Sequence, residues 1–205
     1  MTKKYFVIEL FVVFILIMER IWLAQKEIIS FIAIAMVAIS WWKNKDNLKT
    51  LGFLPNDFTI VKKMSLVILL SGLVFSLIGF WLSPGTTLNF ELVSAIFISA
   101  FGYLIWALFQ QLILNGYFSN RLQSIFGNVR EASFVSGLLF AVAHMPNPVL
   151  APIALIGGAI SSYFFLKSKN IFPLVIAHAI IAAMIIHLVP TGWHHNMTVG
   201  YNFFK

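Results

Sequence analysis

The sequence alternates long apolar runs with short basic loops, a pattern that few folds other than a membrane helix bundle can accommodate. A transmembrane helix needs roughly 20 apolar residues, and fewer where neighbouring helices shield it from lipid. Seven runs meet this condition, so we predict an all-α, polytopic bundle of about seven transmembrane helices. The predicted spans are Tyr5–Ala24, Glu27–Trp42, Lys63–Leu82, Glu91–Phe118, Ala132–Met145, Val149–Leu166 and Ile171–Pro190.

The composition excludes several other classes of protein. Of the 205 residues, 60% are hydrophobic and only 10% are charged, which is too little charge to cover the surface of a soluble domain. The net charge of +7 lies in short loops between apolar runs, where it orients helices, so we expect no nucleic-acid binding. The absence of cysteine excludes disulfides, thiolate metal ligands and a cysteine nucleophile.

The placement of lysine and arginine predicts the topology. With the N-terminus inside, eleven basic residues fall in inner segments and two in outer segments, as the positive-inside rule requires. We therefore expect an integral protein of a bacterial cell membrane, with its N-terminus inside and its C-terminus outside. The inner residues are Lys3, Lys4, Lys43, Lys45, Lys49, Lys62, Lys63, Arg121, Arg130, Lys167 and Lys169, and the outer ones are Lys26 and Lys205.

Amide and imidazole side chains lie within the predicted spans of the second half of the chain. A polar side chain at membrane depth is costly unless it faces the protein interior or a cavity, so each is a candidate for function. Gln111 and Asn115 share a helix face at i, i+4, while Gln110 is turned about 100° away. At 1.5 Å per residue, Gln111 and His178 lie roughly 10 Å deep and His144 roughly 20 Å deep. The spacing predicts one buried polar cluster beside a cavity.

These residues form three motifs that resemble those of the CAAX-protease and bacteriocin-processing family of membrane proteases (CPBP, or Abi). The family patterns are EExxxR followed by glycine, then FxxxH, then HxxxN or HxxxD. The corresponding segments here are Gln110-Gln111-Leu112-Ile113-Leu114-Asn115-Gly116, Phe140-Ala141-Val142-Ala143-His144 and His178-Ala179-Ile180-Ile181-Ala182. The resemblance implies a single membrane domain over residues 1–205, with peripheral helices and a loop at 1–90 and a CPBP-like core at 91–190.

The resemblance also implies a membrane endopeptidase whose catalytic positions are Gln110, Gln111, Asn115, His144 and His178. In the family the first glutamate is thought to activate water, and the histidines and the final Asn or Asp position that water and stabilise the oxyanion. The glutamines of this chain cannot accept a proton, so they can orient water but cannot act as a general base. Asn115 and Ala182 likewise replace the arginine and the final Asn or Asp.

Three functions are compatible with this pattern. The first is a hydrolase with altered chemistry, in which His144 or His178 is the base and the glutamine amides bind the oxyanion. The second is a non-catalytic scaffold or immunity-type protein that holds a lipidated or transmembrane segment in the cleft that corresponds to the family's active site. The third is a small transporter, which the lack of an internal repeat disfavours. We expect membrane lipid and such a tethered protein as partners. We expect no cofactor and no metal, because two histidines without a third ligand make a poor zinc site.

Overall fold

The computed structural model describes residues 3–23, 27–54, 58–82 and 89–205, and within these ranges the chain forms helices and no strands. The prediction of an all-α fold is therefore confirmed. The elements are α1 (Lys3–Trp22), α2 (Ile28–Lys43), α3 (Thr59–Leu82), α4 (Phe90–Gln111), a π-helix (Leu112–Ser119), α5 (Asn120–Phe126), α6 (Val129–Ala143), α7 (Leu150–Ser168), α8 (Phe172–Leu188) and α9 (Thr191–His194), followed by 3-10 turns at His195–Met197 and Gly200–Phe204.

Each of the seven predicted spans coincides with a helix of the structure. Among the described residues, three helices are long and apolar enough to cross a membrane: α3, the continuous rod Phe90–Phe126, and α7. The helices α2 and α8 are also apolar but shorter. Ala24 and Lys26, at the first predicted boundary, lie outside the described residues, and the orientation of the termini stays a prediction.

The outer surface of the bundle is apolar. Phe90, Ile105 and Trp81 are 85%, 84% and 82% exposed, and many other large aliphatic and aromatic side chains are also exposed. Exposed apolar surface on this scale is unfavourable in water but is what the hydrocarbon core of a bilayer requires. The chain is therefore an integral membrane protein.

Sequence signals explain where the core helices begin and end. The Asn89 and Asn128 side chains accept hydrogen bonds from backbone N–H groups in the first turns of α4 and α6. Gly127, with φ +72°, ends α5 in the left-handed region that favours glycine. Pro173 occupies the first turn of α8, where its missing N–H has no helical acceptor.

The helices α6 and α7 pack closely through small residues. A Cβ atom built on Gly137 would lie 2.6 Å from the carbonyl oxygen of Leu155, so only glycine fits there. Gly158 lies directly opposite, with its Cβ position 3.1 Å from the Gly137 Cα. This close approach brings the polar side chains of α6 and α7 within reach of the π-helix, while α8 packs against α3 and α4.

The hairpin formed by α1 and α2 docks on the π-helix and α5 through a buried charged cluster. Glu9 accepts hydrogen bonds from Ser40 and Tyr117, and its carboxylate lies 3.9 Å from the Arg121 guanidinium. Arg121 also donates to Ser40 and pairs with Asp46 in the loop after α2. A buried guanidinium thus joins the N-terminal hairpin and its following loop to the core.

The residues after α8 fold back over one end of the bundle. The fully buried Asn147, between α6 and α7, donates to the carbonyl oxygens of His194 and Thr198. The backbone N–H of Gly200 donates to the Met145 carbonyl oxygen. A Cβ atom at Gly200 would lie 2.2 Å from the Ile21 carbonyl oxygen, so this segment also contacts the end of α1.

Candidate active site

Four of the five predicted site residues line one cavity of about 250 Å³. Gln110 and Gln111 are the last two residues of α4, His144 is the C-cap residue of α6, and His178 lies in α8. Three helices therefore bring the residues of three separate motifs to one cavity. These four residues are Gln110, Gln111, His144 and His178.

The fifth residue, Asn115, supports Gln111 from within the π-helix. Its Nδ2 donates to Gln111 Oε1 at 2.6 Å, and Gln111 Nε2 lies 3.1 Å from His178 Nδ1. An amide nitrogen can only donate, so His178 Nδ1 accepts and the ring proton is assigned to Nε2. The Gln111 side chain is therefore fixed at both ends, by Asn115 and by His178.

Ser119 extends this chain of hydrogen bonds across the bundle. Its hydroxyl lies 3.1 Å from Asn115 Oδ1 and 3.0 Å from the hydroxyls of both Ser136 on α6 and Ser162 on α7. A second serine of α7, Ser161, lies 3.4 Å from Asn115 Nδ2 and also lines the cavity. Sequence reasoning missed these serines as site residues, although hydroxyls in apolar helices are a signal that could have found them.

His144 is held by the backbone of its own helix. Its Nδ1 lies 2.7 Å from the Phe140 carbonyl oxygen, which can only accept, so the proton is assigned to Nδ1. No hydrogen bond from the described residues reaches Nε2, which is left with a lone pair for a ligand. The Phe140 ring packs against both histidines, with its centroid 4.4 Å from that of His144 and 5.8 Å from that of His178.

Gln110 differs from Gln111 in having a side-chain oxygen without a partner. Its Oε1 is buried and accepts no hydrogen bond from the part of the chain that the structure describes. Gln110 also lines a second cavity, together with Trp106, Phe140 and His144, which line both. An unpaired buried amide oxygen is costly and is suited to accept a hydrogen bond from a ligand.

The cavity offers hydrogen-bonding groups without fixed charge. Its lining includes no carboxylate among the described residues, and no group of three or more His, Asp or Glu residues there could hold a metal ion. It presents one imidazole with an accepting nitrogen, one with a donating N–H, and two carboxamides. These groups suit the polar edges of a peptide backbone.

The fold and this cavity define a CAAX-protease-like membrane helix bundle. Residues 92–184 match the family described as type II CAAX prenyl endopeptidase Rce1-like, and the match contains all three motifs. This segment is therefore similar to the Rce1-like family, and the resemblance read from the motifs is confirmed. No curated protein and no solved structure matches the chain significantly.

Proposed function

We propose that the protein binds a membrane-tethered peptide segment in this cavity and cleaves it with an imidazole base in place of the family's glutamate. The observation that carries the proposal is the convergence of Gln110, Gln111, His144 and His178 on one cavity within the Rce1-like segment. Lipidated or transmembrane segments are the substrates that a site inside the bilayer can receive.

The tautomers of the two histidines support separate roles. His144 has its Nδ1 proton on the Phe140 carbonyl, so its Nε2 can take a proton from an attacking water. His178 has its Nδ1 occupied by Gln111, so its Nε2–H can donate to the oxyanion that develops on the peptide carbonyl. Gln110 would hold the peptide through its free amide, and Asn115 is a positioning residue that acts through Gln111.

A non-catalytic scaffold is the second candidate, and a specific observation favours it. Gln111 occupies the place of a carboxylate, but a carboxamide cannot accept a proton, and hydrogen bonds to Asn115 and His178 already engage both of its ends. Loss of a carboxylate base lowers a rate by about 10²–10⁴-fold. A protein with that deficit could still hold a peptide in the cavity without cutting it.

Processing of a reconstituted substrate tests the catalytic proposal. A fluorogenic peptide with a lipid anchor should be cleaved by the wild type, and His144→Ala should lower the rate by roughly 10²–10⁴-fold. His178→Ala should also lower it, whereas His195→Ala should not, because His195 is an exposed imidazole outside the cavity. Cleavage that survives both cavity variants would overturn the proposed roles.

The converse variant distinguishes an altered protease from a scaffold. Gln110→Glu with Gln111→Glu restores both carboxylates of the family motif. If the wild type binds the lipidated peptide without cutting it and the double variant cuts it, the native protein is a non-catalytic scaffold that retains the fold of a protease. If neither cuts and neither binds, both candidate functions fail.

A further inference from the structure

A second cavity, of about 270 Å³, lies between the N-terminal hairpin and the core. It is walled by α1 and α2 on one side and by α4, the π-helix and α6 on the other, and most of its lining is apolar. Of the proposed active-site residues, Gln110 and His144 also line it, whereas Gln111 and His178 do not. Representative lining residues are Phe14, Ile17, Ala33, Val37, Ile113 and Leu139.

Arg20 is the one charged residue among the described residues that line this cavity. It lies in the last turn of α1, is exposed, and forms no ion pair with a carboxylate in the part of the chain that the structure describes. Ser30, in the first turn of α2, also lines the cavity. Because α1 and α2 form a hairpin, the guanidinium and this hydroxyl lie near the same end of the cavity.

The polar and apolar parts of the lining are arranged as an amphiphile would require. Phe14 lies six residues before Arg20, which is roughly 9 Å along the helix. Val37 lies a similar distance beyond Ser30, and the two apolar positions lie deeper in the bundle. The cavity therefore has a cationic, hydroxyl-bearing mouth and an apolar interior.

We propose that this cavity binds an anionic phospholipid, with its phosphate at Arg20 and one acyl chain among the apolar side chains. A guanidinium presents paired N–H donors that match phosphate oxygens, and the Ser30 hydroxyl can donate to a third oxygen. The apolar interior suits an acyl chain because it offers no donors to a peptide backbone along most of its length. Ile34, which lines the cavity, and Phe31 on the same helix are both exposed, so the cavity adjoins an apolar outer surface.

The position of the second cavity gives the lipid a structural role. Trp106, Gln110, Phe140 and His144 line both cavities, so a bound acyl chain packs against the back of the active-site wall. The groups that bind the phosphate, Arg20 and Ser30, take no part in the proposed chemistry, so lipid retention and peptide cleavage can be measured separately.

Lipid retention measured by native mass spectrometry tests the proposal. The intact protein is released from nanodiscs containing equal amounts of phosphatidylglycerol and phosphatidylcholine, and the bound lipid is identified. The wild type should retain phosphatidylglycerol preferentially. Arg20→Gln should weaken this retention about fivefold, because one basic residue near a lipid surface contributes about that factor. Arg130→Gln, an exposed arginine outside the cavity, should have no effect.

A matched pair of variants on α2 tests whether the acyl chain occupies the apolar interior of the cavity. Ala33→Phe fills the cavity and should abolish retention, whereas Ala35→Phe places the same side chain on the exposed face of the helix and should not. Unfolding temperatures confirm that each variant is folded. Equal retention of both lipids by the wild type would overturn the proposal. So would a loss of lipid retention in Ala33→Phe with no effect of Arg20→Gln, because the occupant would then be uncharged. Peptide processing is measured separately, so its failure would leave this test intact.

Discussion

The hydrogen-bonded chain from His178 to Ser119 is neutral at every position. Each amide in it donates on one side and accepts on the other, so no charge has to be desolvated inside the membrane. Such a chain fixes the orientation of Gln111 and the tautomer of His178 together. The tautomer of the His178 imidazole therefore depends on a chain of hydrogen bonds that extends to Ser119 and its serine partners on α6 and α7.

Ser119→Ala should lower the free energy of unfolding by about 1–3 kcal/mol, because its buried partners on three helices lose a hydrogen bond. The measurement is reversible unfolding in detergent micelles. Ser124→Ala is the matched control, since Ser124 lies on the same rod but is exposed, and its effect should stay within about 0.5 kcal/mol. Equal stability of the two variants would show that the serine chain does not hold the site.

Lys169, in the turn between α7 and α8, gives stability a defined pH dependence. Burial lowers its pKa from 10.5 to about 8, against the opposing effect of Asp46. Between these two values the unfolded chain binds more protons than the folded one, so stability should rise as pH increases from about 8 to 10.5. Unfolding titrations at fixed pH values measure the slope. Lys169→Met should flatten it, whereas Lys167→Met, an exposed neighbour, should leave it unchanged.

Among the elements, the N-terminal hairpin and the π-helix depend on one another. Arg121 follows the π-helix by two residues, and its ion pairs reach α1 and the loop after α2. Trp41 on α2 donates to the Gly116 carbonyl oxygen, which lies within the π-helix. Because π-helices are rare and occur mainly at functional sites, the hairpin supports an element that positions Gln111 and Asn115.

Arg121→Met should release the hairpin from the core, since removing one partner of a buried charge pair costs about 3–5 kcal/mol. The native chain has no cysteine, so a cysteine pair at positions 14 and 118 reports docking specifically. The two native rings there lie 6.2 Å apart between centroids. Crosslinking of this pair should fall in Arg121→Met and persist in Arg130→Met. Undiminished crosslinking would show that apolar packing alone docks the hairpin.

Some features of this bundle can be predicted from the sequence, and others cannot. Apolar runs predict the helices because bilayer thickness fixes their length, and the i, i+4 spacing predicts the contact between Gln111 and Asn115. The π-helix was not predicted, because its hydrogen-bond register leaves no compositional signal. The pairing of Glu9 with Arg121 joins residues 112 positions apart, so no local pattern could indicate it.

We propose that the cavity shared by the three motifs receives a membrane-tethered peptide, and a matched pair of glycine variants is the test of this binding. A Cβ atom at Gly157 or Gly102 would meet nothing within 4 Å, so both sites accept a larger side chain without a backbone clash. Gly157 lines the cavity and Gly102 does not. Equilibrium binding of a fluorescent lipidated peptide should be lost in Gly157→Phe and retained in Gly102→Phe. Equal binding by the two variants would contradict the claim.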